Sequence, residues 1–187
     1  MGTSSNHASP RTPSWAIARS LLGLEAGLPE SQSRELWRAA MGDVEASPAR
    51  LLAVDCVAKA YELAGSSRSA PEAFDQYDDY LISNRAGGLV ADLARRALGR
   101  AVAQGEGKRT FAAEIFAETV SYYAARDLPS VIGGPGRVPI VSDSISLKES
   151  FRSIARQAAL SRWESSLELA QWPGFVTSVC NALVSRE

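Results

Sequence analysis

The sequence predicts an all-α fold, an irregular single-domain bundle of about eight helices with a Gly/Pro-rich loop between helices six and seven. Three observations predict it. Apolar residues recur three and four positions apart, the helical spacing, and not at alternate positions. Many of these runs open after a Ser or Thr and close at a Gly, which are the residues that cap helix ends. No convincing strand pattern occurs, and nothing repeats at a fixed period with matching residues.

Residues 1–12 are rich in Ser, Thr, Asn and Pro and read as a disordered tail, leaving 13–187 as one helical domain. Thr12 is placed to cap a first helix with Pro13 at its first position, and WAIARSLLGLEAG then stops at Gly27. A second short helix, SRELWRAAMG, ends at Gly42. The third is expected to be capped by Ser47, begun by Pro48 and closed by Gly65. Its apolar stripe is Leu51, Val54, Ala58, Tyr61 and Ala64. Asp55, Lys59 and Glu62 face the other way, with Asp55 and Lys59 spaced for an ion pair one turn apart.

Ser69-Ala70-Pro71-Glu72 reads as a capping box, so a fourth helix should run to about Asn84, before the turn at Gly87-Gly88. A fifth covers about Leu89 to Ala103 and stops before Gly105. Thr110 should cap a sixth, Phe111 to about Arg126. Residues 127–145 then hold three prolines and three glycines, the longest irregular stretch and the only place for a strand pair. Ser146-Leu147-Lys148-Glu149 is another capping box and opens the seventh helix. Ser161-Arg162-Trp163-Glu164 suggests a further start, with a helix to about Trp172. Pro173 and Gly174 interrupt, and the last helix covers Phe175 to about Val184. Trp15, Trp37, Trp163 and Trp172 all fall within predicted helices, as core or interface residues.

Composition limits the chemistry. At 45% hydrophobic and 22% charged residues with net charge −1, the 187-residue chain is neither wholly disordered, collagen-like nor a disulfide scaffold. Its single histidine, His7, lies in the polar tail, which argues against His-dependent triads and His-rich zinc sites. Cys56 and Cys180 form no CxxC pair and read as reduced, buried thiols, implying a reducing compartment. No apolar run approaches the roughly 20 residues that span a bilayer. MGTSSNHASPRTP lacks the apolar core of a signal peptide, and Asn6 stands where myristoylation expects Ser or Thr. These points predict a cytoplasmic protein with no membrane partner. No cofactor and no metal are expected.

Two charge patterns stand out. Residues 70–84 carry Glu72, Asp75, Asp78 and Asp79 without a cation, for −4, whereas residues 85–109 total +4. The acidic half has only the spacing of an aspartate-rich magnesium motif. The plainer reading pairs the two halves with each other or with neighbouring helices. If helices five and six form an antiparallel hairpin about residue 107, Arg96 falls near Glu118 and Arg100 near Glu114. Glu114 and Glu118 are one turn apart and need a cation; a dimetal site would want the histidine this region lacks.

The second pattern is the loop Val131-Ile132-Gly133-Gly134-Pro135-Gly136-Arg137 with the helix after it. Glycine amides can approach an anion, although neither a P-loop nor a dinucleotide fingerprint is present. Lys148, Arg152 and Arg156 then recur every four residues, flanked by Arg126, Arg137 and Arg162. The candidate phosphate- or partner-binding residues are therefore Arg126, Gly133, Gly134, Gly136, Arg137, Lys148, Arg152 and Arg156. Arginine, at 17 residues against three lysines, suits bidentate contacts, while the near-zero net charge argues against coating nucleic acid. Nucleophile motifs are missing: there is no GxSxG elbow and no SxxK pair.

These readings favour a non-catalytic helical interaction subunit or adaptor of a larger assembly, with another protein subunit as partner. Such a subunit should show a helix face with exposed Trp, Leu or Phe. A nucleic-acid-binding subunit of a ribonucleoprotein-type complex, contacting phosphates through the basic helix edge, is the alternative. A Mg²⁺-dependent carboxylate enzyme using Asp75 and Asp79 is the third.

Overall fold

The computed structural model describes residues 52–105, 107–127 and 141–185. The described residues form six α-helices, one 3₁₀ turn and no strand. In chain order they are α1 (Asp55–Ser66), α2 (Ala70–Ser83), α3 (Leu89–Gln104), α4 (Gly107–Asp127), α5 (Val141–Arg162), the 3₁₀ turn (Leu169–Gln171) and α6 (Trp172–Ser185). The all-α class is therefore observed. The first two predicted helices, the N-terminal tail and most of the Gly/Pro-rich loop lie outside the described residues.

Local chemistry explains the start of α2 and the end of α3. Ser69 caps α2 by accepting from the Glu72 backbone N–H at 3.3 Å. The reciprocal half of the predicted box is redirected: Glu72 Oε2 accepts from the Arg68 backbone N–H at 3.0 Å. Pro71 sits in the first turn, where its missing N–H costs nothing. At its C-terminus, α3 closes on Gly105 at φ +74, the left-handed cap that glycine adopts without strain.

Several boundaries depart from expectation. The third predicted helix does not run unbroken from Pro48, because Val54 is extended and α1 begins at Asp55. It passes Gly65 and ends at Ser66, and Lys59 pairs with Glu62 at 3.0 Å and not with Asp55. Helix α4 begins at Gly107, so Thr110 is a buried residue inside the helix and not its cap. Helix α5 begins at Val141, which puts Ser146 in its interior and not at its cap. Finally, the helix predicted from Ser161 to Trp172 does not form: α5 runs on through Arg162, and an irregular connection closed by the 3₁₀ turn leads to α6. Pro173 and Gly174 do not interrupt a helix. They occupy the first turn of α6, where proline is accommodated.

Helix α4 is the axis of the fold. It packs on α1, α3 and α5, and every residue from 110 to 121 is buried. A helix buried on all sides belongs to a core. Phe111, Ile115 and Phe116 supply its apolar contacts, while α6 closes the far side against α5. Trp172 is the keystone of that closure. Its ring lies 4.7 Å from Tyr61, 5.3 Å from Phe175 and 6.1 Å from Phe111, and its indole N–H donates to the Leu52 carbonyl at 2.8 Å. Tyr61 likewise sends its hydroxyl to the Leu167 carbonyl at 2.9 Å. Both amphipathic rings thus bury their bodies and satisfy their polar ends.

Candidate functional site

Burying α4 all round also buries two carboxylates, and ionised groups removed from water need partners. Glu114 and Glu118, one turn apart, meet three guanidiniums from two other helices. Arg100 of α3 donates through Nη1 to Glu114 Oε2 at 2.9 Å and lies 2.6 Å from Glu118 Oε1. Arg152 of α5 donates through Nη2 to the same Glu114 oxygen, and its Nη1 is 2.8 Å from Glu118 Oε1. Arg156, one turn further along α5, places Nη1 3.3 Å from Glu114 Oε1. Its Nη2 reaches the exposed Gln104 amide oxygen at 3.5 Å.

Glu118 Oε1 is held by these two ion pairs and accepts no well-directed hydrogen bond. Burial is graded across the cluster. The Glu114 side chain is 2% exposed and Arg152 19%, whereas Arg100 and Arg156 are 41% exposed. Three positive charges face two negative ones. The inner part is a clamp joining α3, α4 and α5, and the outer part is a pair of half-solvated guanidiniums.

The hairpin expected about residue 107 is formed, and Arg100 meets Glu114. Arg96 does not take Glu118, which Arg100 and Arg152 hold; Arg96 is exposed. The acidic and basic halves of residues 70–109 also meet. Arg95 grips Asp78 with two bonds of 2.9 Å while its guanidinium stacks 4.3 Å above the Phe74 ring. The hydrogen bonds from Arg95 hold the Asp78 carboxyl below its ordinary range.

The basic edge has a different character from the one its spacing suggests. Arg152 and Arg156 turn toward α4, so only Lys148 of the three residues spaced by four lacks a carboxylate contact among the described residues. Arg126 lies in α4, and Gly133, Gly134, Gly136 and Arg137 fall outside the described residues. The sequence reading missed Gln104 and the convergence of α5 on the Glu114–Glu118 pair. The available signal was the shared four-residue spacing of two acids on one helix and two arginines on another.

Among the described residues there is no group of metal-ligating side chains and no helix long and apolar enough to cross a membrane. Cys180 is buried, which pushes its thiol up to about 12, and the half-buried Cys56 thiol is also raised by burial. No family model, no curated protein and no solved structure matches the chain.

Proposed function

We propose that the chain is a non-catalytic helical interaction subunit or adaptor of a larger protein assembly, acting in the cytoplasm. The observation that carries this reading is the outward face of α2. Asp75, Asp79 and Ile82 follow one another at helical spacing and are all exposed, and Ile82 is 77% exposed at the end of the helix. Burying such an isoleucine is worth about 1.5–3 kcal/mol, and two unclamped carboxylates beside it favour a basic partner surface. Leu169, 42% exposed, is the one residue of the expected Trp, Leu or Phe set that stands out in the described part. Trp172, by contrast, is core.

The clamping of Arg152 by two carboxylates also supports a protein partner over a phosphate track, because a buried, neutralised guanidinium gives little to a polyanion. The test is co-purification of tagged chain from its native host, comparing wild type with Ile82→Asp. A polypeptide recovered in constant ratio with wild type, resistant to nuclease and lost with Ile82→Asp, is the expected result. Nucleic acid as the main companion, or equal recovery with the variant, contradicts the reading.

A further inference from the structure

We propose that Arg156, Arg100 and Gln104 form a binding site for one phosphate-class oxyanion at the solvent end of the guanidinium cluster. The proposal goes beyond the interaction-subunit reading and does not depend on the α2 face. Its first support is charge. Glu114 and Glu118 neutralise two of the three guanidiniums that meet there, leaving one positive charge over.

Its second support is where that charge resides. Arg152 is held deep by both carboxylates and is 19% exposed. Among the described residues, Arg156 touches only Glu114, at 3.3 Å, and the Gln104 amide oxygen, at 3.5 Å. These are the longest contacts in the cluster, made by a side chain that is 41% exposed. Arg156 is therefore the least satisfied cation.

Geometry is the third support. Arg100 and Arg156 come from different helices, yet both reach the same Glu114 carboxylate, at Oε2 and Oε1. The two guanidiniums therefore converge on one carboxylate. A guanidinium carries five donors in a planar fork, and neither of these arginines spends all of them on Glu114, Glu118 and Gln104. A tetrahedral oxyanion offers several acceptor oxygens to two such forks, and the Gln104 amide N–H₂ can add a neutral donor. The carboxylates beneath fix the guanidiniums in place, so little side-chain freedom is lost on binding.

Free inorganic phosphate and a phosphomonoester share this chemistry. The experiment is a titration of ¹⁵N-labelled full-length chain with inorganic phosphate, with O-phosphoserine, and with chloride at matched ionic strength. Saturable one-to-one binding of a phosphate, absent with chloride, is expected. Tighter binding of phosphate assigns a free anion, and tighter binding of O-phosphoserine assigns an esterified one. Arg156→Ala should weaken binding about tenfold or more, while Lys59→Ala, on α1 away from the cluster, should leave it unchanged. Arg156→Lys keeps the charge and the fold but lacks the fork, so it should also bind less tightly. Non-saturable shifts, equal shifts with chloride, or full affinity in Arg156→Lys would overturn the proposal.

Discussion

Replacing Glu114 with Gln keeps the shape of the side chain and removes its charge. Three guanidiniums would then face Glu118 alone. The consequences differ by residue. Arg100 and Arg156, each 41% exposed, can turn to water and recover hydration. Arg152 is 19% exposed and cannot do so freely, and it loses its shortest contact. Breaking a buried pair by removing one partner costs about 3–5 kcal/mol, whereas an exposed pair is worth at most about 1 kcal/mol. With one deep and two half-solvated partners, and with Glu118 still present, Glu114→Gln should cost about 3 kcal/mol. The assay is urea unfolding of wild type, Glu114→Gln, Arg152→Met and the double variant. Because the two residues act on each other, the double variant should be less destabilised than the sum by more than about 1 kcal/mol. A Glu114→Gln loss below about 0.5 kcal/mol, or additivity of the two changes, would refute the buried-clamp reasoning.

Other outcomes follow from the same structure. Trp172→Ala should cost about 3–5 kcal/mol, because the ring bridges Tyr61, Phe111 and Phe175 and its N–H serves Leu52; thermal unfolding checks this. Gly107→Ala should destabilise by about 1–3 kcal/mol, since the residue sits at φ +51 and a Cβ would lie 2.9 Å from the Ala64 carbonyl oxygen; denaturant midpoints report it. The Arg95–Asp78 bond lowers the Asp78 carboxyl, so its stabilisation is present above the unfolded pKa and lost as pH falls through the folded one. Both side chains are more than 40% exposed, which limits the effect to under about 1 kcal/mol, visible as a reduced acid sensitivity in Asp78→Asn. With a thiol-reactive dye at mildly alkaline pH, the half-buried Cys56 should label first, and Cys180 only on global unfolding.

What the sequence revealed and what it concealed have distinct physical causes. Short-range rules read well: Ser69 and Pro71 open α2, and Gly105 closes α3. The turn near residue 107 then set the register that joins Arg100 to Glu114, because a tight hairpin leaves little freedom of pairing. The partners of Arg152 and Arg156 were not legible, since they depend on how α5 lies against α4 after a connection with no readable geometry. Their four-residue spacing suggested an edge open to a phosphate or a partner, because exposure follows from tertiary packing, which a helical period alone does not define. The connection after Arg162 misled for another reason: Ser161 and Glu164 have cap-like spacing, but α5 runs on through Arg162, and the Leu167 carbonyl there accepts from the distant Tyr61 hydroxyl.

Whether the guanidinium groups of α5 are internal can be read from the ¹⁵N side-chain resonances of its arginines in the folded chain. Clamping by Glu114 and Glu118 predicts resolved, slowly exchanging Arg152 Nη–H signals that collapse in Glu114→Gln, beside averaged signals from the exposed Arg96. Arg152 signals as averaged and as fast to exchange as those of Arg96 would show a solvated basic edge, with no clamp between α4 and α5.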